Sequence, residues 1–149
     1  MPLAPEQYLK INQAIFSLAN AYNSRMLKDE EQIQSGLQLS DRSVLMVMRE
    51  LAPLNSRQLA EAMDINPGTI SLYVQRLVER GLVERERDQQ DRRNWWLHLT
   101  IEGINAADET VAGTVLYTQD FLSMLDDAEQ RQLHDLLQRV AHGLGHEWQ

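Results

Sequence analysis

The chain has 149 residues, a formal net charge of −8, 43% hydrophobic residues and no cysteine. Without cysteine there are no disulfides, thiolate metal sites or thiol-based redox sensing, and no apolar run approaches the roughly 18 to 20 residues that cross a bilayer. The length suits one domain with a core, or a small domain with an association element, and Met1-Pro2-Leu3-Ala4-Pro5-Glu6 has no basic stretch leading an apolar block, so the expected location is cytoplasmic.

From Glu6 to about Glu31, Leu9, Ile11, Ile15, Leu18, Ala19, Tyr22, Met26 and Leu27 fall mostly three or four apart, which predicts a long amphipathic helix. Gln34-Ser35-Gly36 breaks it. Leu39-Ser40 then opens a second periodic run through Val44, Leu45, Val47, Met48 and Leu51, with Ser40 the predicted N-cap and Pro53 the stop. Asn55-Ser56-Arg57-Gln58 reads as a capping box ahead of a short helix carrying Leu59, Ala60 and Met63. After Asp64-Ile65, Asn66 is placed to cap and Pro67 to occupy the first position of another helix, which runs to Arg80 with Ile70, Val74 and Leu77 inward and Gly81 at C′. Two helices so closely joined form a helix-turn-helix.

Leu82 to Arg87 and Asn94 to Leu99 predict strands flanking the polar loop from Asp88 to Arg93, a β-hairpin. Alternation puts Trp95 on the buried face with Leu97 and Leu99, and Trp96 outward with Asn94 and His98, where it can pack on Arg85 or Arg87. Thr100 caps a helix bearing Ile104, Ala107, Val111, Val115, Leu122 and Leu125; Asp126 to Glu129 form a second capping box ahead of Leu133, Leu136, Leu137, Val140 and Leu144. The stripes of the first and last helices exceed what the central unit can cover, and they require a partner. The fold class is mainly α with a small β-hairpin: a winged helix-turn-helix inside a helical dimerisation frame. Its expected parts are a dimerisation helix over 1–38, a DNA-binding domain over 39–100 and dimerisation helices over 101–149 that form one unit with 1–38.

Charge is unevenly spread. Residues 57–98 hold seven basic and seven acidic side chains, and every basic one is arginine; the acidic excess lies elsewhere. No acidic residue occurs from Asn66 to Leu77. A locally neutral, arginine-bearing segment in an acidic chain suits an approach to phosphate, and the planar guanidinium suits bidentate contact with guanine or entry into a narrow minor groove.

Leu59-Ala60, Thr69-Ile70-Ser71, the run from Leu77 to Arg85, Asp88-Gln89-Gln90-Asp91-Arg92-Arg93 and Leu99-Thr100-Ile101-Glu102-Gly103, in this order and spacing, resemble the MarR family of bacterial transcriptional regulators. The match spans residues 39–103; the flanks agree in length and helical pattern. The resemblance implies a homodimer that binds a pseudo-palindromic operator in double-stranded DNA, acting as a repressor. It also implies release by a small, often aromatic or phenolic, effector bound between the DNA-binding lobe and the dimer helices. On the recognition helix, Pro67, Gly68, Thr69, Ser71, Leu72, Gln75 and Arg76 are the candidate contacts. Thr69 and Ser71 suit phosphates or base edges, Leu72 a thymine methyl, and Gln75 or Arg76 bidentate base contacts. On the wing the candidates are Arg87, Asp91, Arg92 and Arg93, with one of Arg92 and Arg93 in the minor groove and the other paired with Asp91 or Asp88.

Tyr8, Phe16, Tyr22, Met26, Met46 and Tyr117 are candidate effector-pocket residues or ordinary packing positions. His142 and His146 share a helix face beside Glu147, a spacing that suits a metal, but without a third ligand no metal site is expected, and no cofactor either. The chain contains no nucleophile elbow, phosphate-cradling glycine loop or HExxH signature, so catalysis is not expected. The rival readings are a winged helix that binds a protein instead of DNA, and a metal-responsive member of the same family.

Overall fold

The computed structural model describes residues 1–32 and 36–145. Among these the elements are α1 (Pro5–Gln32), α2 (Leu39–Leu51), α3 (Ser56–Met63), α4 (Pro67–Glu79), β1 (Val83–Arg87), β2 (Trp95–Leu99), α5 (Ile101–Phe121) and α6 (Asp127–Gly143). The strands form one antiparallel hairpin with Val83 opposite Leu99 and Arg87 opposite Trp95. Two compact units divide the chain, Met1–Leu39 and Ser40–Gln149, so α5 and α6 belong to the same unit as the helix-turn-helix and hairpin. The predicted break at Gln34-Ser35 lies outside the described residues. No helix among those described is long and apolar enough to cross a membrane.

Helix boundaries follow the capping chemistry. Asn55 accepts from the Gln58 backbone N–H at 2.8 Å while the Gln58 side chain accepts from the Asn55 N–H at 2.9 Å, a closed capping box. Asn66 caps α4 through the Gly68 N–H at 2.8 Å, with Pro67 at the first position. Asp126 and Glu129 repeat the capping box at the start of α6. Ser40 departs from its predicted role: α2 begins one residue earlier, at Leu39, so Ser40 lies inside the first turn and is not the N-cap.

The core of the second unit is built from Val44, Leu45, Val47 and Met48 of α2, Leu59 and Ala60 of α3, Ile70, Val74 and Leu77 of α4, and Val83 and Leu97 of the hairpin. The Leu97 N–H donates to the Leu54 carbonyl at 2.8 Å, which fastens the segment between α2 and α3 to the outer side of β2. At the end of α4, Gly81 (φ +71°) takes the left-handed conformation; its N–H bonds to the Val78 carbonyl at 3.0 Å, and the Leu82 N–H bonds to the Leu77 carbonyl at 2.9 Å. These two bonds make a Schellman cap.

The hairpin closes onto that same cap. The Thr100 hydroxyl donates to the Gly81 carbonyl at 2.7 Å and accepts from the Gly103 N–H at 3.0 Å, while the Thr100 N–H donates to the Leu82 carbonyl at 3.1 Å. This brings α5 against the backbone of Leu82 so closely that a Cβ on Gly103 would fall on the Leu82 carbonyl oxygen. The threonine and glycine of Leu99-Thr100-Ile101-Glu102-Gly103 are thus required by backbone packing.

Elsewhere the helices leave apolar surface in water. Ile15, Phe16 and Leu18 of α1 are exposed, as are Val115 and Leu116 of α5 and Leu136, Leu137 and Val140 of α6, which buries none of its described residues. Gly103→Ala is expected to destabilise the fold by about 1–3 kcal/mol, the ordinary cost of overpacking, because the obstructing atom is backbone. Chemical denaturation checks this; Gly143→Ala, at a helical position that meets nothing within 4 Å, is the control and should not lower the midpoint, since alanine is the better helix former.

Candidate nucleic-acid interface

α4 turns Ile70, Val74 and Leu77 fully inward and leaves Pro67, Gly68, Ser71, Leu72 and Gln75 exposed, with Leu72 at 64% and Thr69 half-buried. The Ser71 hydroxyl donates to the Pro67 carbonyl at 3.0 Å, which leaves its oxygen lone pairs as acceptors. Gln75 is held at both ends, its amide N–H donating to Glu79 at 2.9 Å and its oxygen accepting from Arg85 at 3.3 Å. From Pro67 to Gln75 this face carries small polar groups, one apolar side chain and no carboxylate of its own, a surface that can lie against base edges, and Glu79 lies one turn further on.

Arg76 is differently placed. Its Nη2 and Nε donate to one oxygen of Asp41 at 2.6 and 3.1 Å, Nη2 also donates to the Ser40 hydroxyl at 2.9 Å, and the guanidinium lies 5.0 Å from the centre of the Tyr73 ring. The expected bidentate base contact from Arg76 is not what this arrangement presents. Its Nε and Nη2 are turned to α2.

The wing loop is organised around Asp88. One carboxylate oxygen accepts from the N–H groups of Gln90 and Asp91 at 2.7 and 2.9 Å, and the other accepts from the Trp96 indole N–H at 2.7 Å. The Asp88 N–H donates to the Asn94 carbonyl at 3.0 Å, and the Asn94 N–H to the Asp91 carbonyl at 2.9 Å. Arg87 also works inside the loop: its Nε donates to the Arg92 carbonyl at 2.7 Å, and its guanidinium lies 5.5 Å from the centre of the Trp95 ring, directly across the hairpin. Trp95 is 45% exposed and does not join the core as expected, while Trp96 bonds Asp88 in place of packing on Arg85 or Arg87. The alternation holds, since Leu97 on the same face is fully buried, but the core ends at Leu97 and Trp95 lies beyond it.

That leaves the arginines of the tip. Arg93 is 97% exposed with Asp91 3.9 Å away, a pairing of little energetic weight. Arg92 contributes its carbonyl to the loop, and its exposed side chain has no partner among the described residues. Beside them an open cleft of about 510 Å3 runs between the start of α3 and the wing, lined by Asn55, Ser56, Arg57, Asp91, Arg93, Asn94 and Trp95.

A helix-turn-helix with a hairpin wing is the layout common to many regulators, and a model of the MarR family matches residues 35–94, the segment that holds α2 to the wing tip. Over residues 35–94 the chain is of the MarR-family type. It is similar to a putative transcriptional regulatory protein for the hcr operon of Thauera aromatica, 35% identical over 97 residues that make up 65% of this chain and 58% of that protein, so the match spans under two thirds of the relative's length. It is also similar to the transcriptional repressor MdtR of Bacillus subtilis, 26% identical over 95% of this chain and 90% of that one. Among solved structures, the PcaV transcriptional regulator of Streptomyces coelicolor in complex with its natural ligand is 27% identical, covers 95% of this chain and 98% of its own, and superposes with a TM-score of 0.63. Members of the MarR family are transcriptional regulators, not enzymes.

Within this segment, α4 and the wing carry all the predicted interface residues in one unit. Of the predicted pocket residues, Tyr8 and Phe16 are exposed and Tyr22 and Met26 half-buried on α1 in the first unit. Met46 and Tyr117 lie in the second unit: the Thr114 hydroxyl donates to the Met46 sulfur at 3.7 Å, and the buried Tyr117 stacks on Phe121 at 6.1 Å. No group of three metal-ligating side chains occurs among the described residues; His146 and Glu147 fall outside them. What sequence reasoning missed is Asp41. It lies three and four residues before Val44 and Leu45, on the buried stripe of α2, and a carboxylate at such a position calls for a cation from elsewhere in the fold.

The Asp91 N–H, then the Trp96 indole and the Gln90 N–H, stabilise the charged form of Asp88 and hold its carboxyl below the ordinary 3.8. A folded-state value below the unfolded one gives a contribution complete above the ordinary range and lost as pH falls through the lowered value. In a pH titration followed by NMR, the Trp96 indole N–H signal should therefore hold its position until pH drops below 3.8, and Asp88→Ala should displace it at every pH. A Trp96 signal that already moves at higher pH contradicts the assigned bond.

Proposed function

We propose that the chain is a ligand-responsive repressor that binds a pseudo-palindromic duplex as a homodimer. α4 lies in the major groove, and the wing reaches the adjacent minor groove through Arg92 and Arg93. The observation that carries this reading is the division of labour in the hairpin. Asp88 and Arg87 satisfy the loop from within, and two guanidinium groups remain exposed beside a helix with no acidic residue from Pro67 to Leu77. In a chain of net charge −8, guanidinium groups held in solvent at one loop tip, only one of them loosely paired with Asp91, offer a polyanion its contact there. Pro67, Gly68, Thr69, Ser71, Leu72 and Gln75 supply the base and phosphate contacts of α4, and Arg87 and Asp91 serve by shaping the loop.

The homodimer reading is supported by the exposed apolar faces of α1 and α6, and we assign 1–38 and 101–149 to the association frame. A small aromatic or phenolic effector is supported by the similarity to PcaV, whose solved structure holds its natural ligand. Met46 and Tyr117 are its candidate contacts in the second unit. Such an effector acts by favouring a spacing of the two wings that no longer fits successive grooves. The winged helix that binds protein is disfavoured by the absence of acidic residues from Pro67 to Leu77 of α4.

The duplex that the chain selects from a random pool provides the assay. Changing Arg92 and Arg93 together to Ala should weaken binding and flatten the slope of log K against log salt by about 0.9 for each phosphate that is no longer neutralised. Undiminished affinity and slope in the double variant would remove the wing from the interface. Independently, Leu137→Glu with Val140→Glu should convert the dimer to monomer in analytical ultracentrifugation and abolish selection of paired half-sites, with helicity retained by circular dichroism. A dimer that survives both charges shows that α6 is not the association surface.

A further inference from the structure

Arg76 follows Leu72 by one helical turn, so it shares the side of α4 that approaches DNA in the proposed function, on which this inference rests. Yet its guanidinium turns back. Asp41 is 2% exposed, and its Oδ1 receives both the Nη2 and the Nε of Arg76, with Ser40 accepting a further Nη2 bond; the arginine side chain itself is 36% exposed. A carboxylate taken out of water and stripped of its cation is strongly destabilising, so Arg76 is not free to swing towards a ligand.

We infer that Arg76 is a positioning residue for DNA recognition. Through Asp41 and Ser40 it sets the rotation of α4 about its own axis, and so decides which side chains, Ser71, Leu72 and Gln75 among them, face the bases. The apolar stripe of Ile70, Val74 and Leu77 holds α4 down but is non-directional. The forked contact to α2 adds direction, and Tyr73 beneath the guanidinium limits its alternatives. Ser40 and Asp41 are also the first residues of the second unit, so the orientation of α4 is referenced to the point where the chain enters that unit. The competing role is a phosphate contact through Nη1, the end of the fork that neither Asp41 nor Ser40 holds.

Lysine separates the two roles, because it keeps the charge but loses the fork. With the duplex selected by the unmodified chain and a scrambled duplex of equal length as probes, Arg76→Lys and Asp41→Asn should each lower affinity for the selected duplex by about tenfold, the scale of one mismatched base pair. Affinity for the scrambled duplex and the salt slope should stay unchanged, and the two substitutions combined should cost no more than the larger single effect. Should a single variant fail to fold, Asp41→Leu with Arg76→Met removes the buried charge altogether; it should fold and bind both duplexes alike. Selected-duplex affinity at the parent level in Arg76→Lys or Asp41→Asn overturns the proposal, as does a drop of about 0.9 in salt slope on both duplexes for Asp41→Leu combined with Arg76→Met. An unmodified chain that selects no duplex overturns the DNA reading itself, and the role of Arg76 with it.

Discussion

The junction at Thr100 governs the geometry of everything that could meet a ligand in the second unit. Thr100 bonds both carbonyls of the cap that ends α4, at Gly81 and Leu82, and in the same residue starts α5 by accepting the Gly103 N–H. The recognition helix, both ends of the hairpin and α5 therefore meet at one backbone knot. A protein that reads two grooves of one duplex needs the separation of helix and wing to be fixed before binding, since ordering them at the moment of contact costs affinity. Here the separation is fixed by backbone groups, with Gly103 as the residue that allows the approach and Gly81 as the one that takes φ +71°. Side chains that make no such structural contact, Leu72 and Arg92 among them, can then vary without moving the elements that carry them.

The arginines divide into those that build the surface and those that it presents. Arg76 and Arg87 direct their donors to Asp41, Ser40 and the Arg92 carbonyl, and each also lies on an aromatic ring. Arg92 and Arg93 stay in solvent, where an ion pair such as Arg93 with Asp91 contributes little. This division answers why a chain of net charge −8 concentrates arginine around its hairpin. Internal guanidiniums make a rigid loop from a polar sequence, and the field of the remaining two is felt only near the tip, within about 8 Å at physiological salt. At longer range the acidic excess repels polyanions, which lowers nonspecific adhesion and leaves discrimination to close contact.

Local chemistry was legible from residue order alone. Asn55 with Gln58, Asn66 with Pro67, Gly81, Thr100 and Asp126 with Glu129 each act within a few residues, so their side chains declare the boundary they make. Expectations failed where the deciding partner is distant. Ser40 has the chemistry of a cap, but its hydroxyl is engaged by an arginine 36 residues along the chain, and Arg76 looks like a base reader until Asp41 is placed beside it. Trp95 obeys strand alternation, yet alternation gives a direction and says nothing of how far the core extends. The clue left in the sequence was Asp41 on the apolar stripe of α2, which demands a cation without naming it.

The exposed faces of α1 and α6 are the physical ground for the proposed dimer. Fully burying a side chain such as Leu137, Val140, Ile15 or Phe16 is worth about 1.5–3 kcal/mol each, and several such positions together exceed the scatter of single apolar residues found on any surface. Helices that place them in periodic stripes acquire a driving force for self-association that needs no further recognition element. Association of identical faces is most simply closed by a two-fold axis. That axis then relates two copies of the rigid knot of α4, hairpin and α5, and two identical readers so related match a site whose halves are inverted repeats. In the proposed dimer the palindrome would follow from the symmetry of the association, and the sequence within each half from the rotation at which α4 is held.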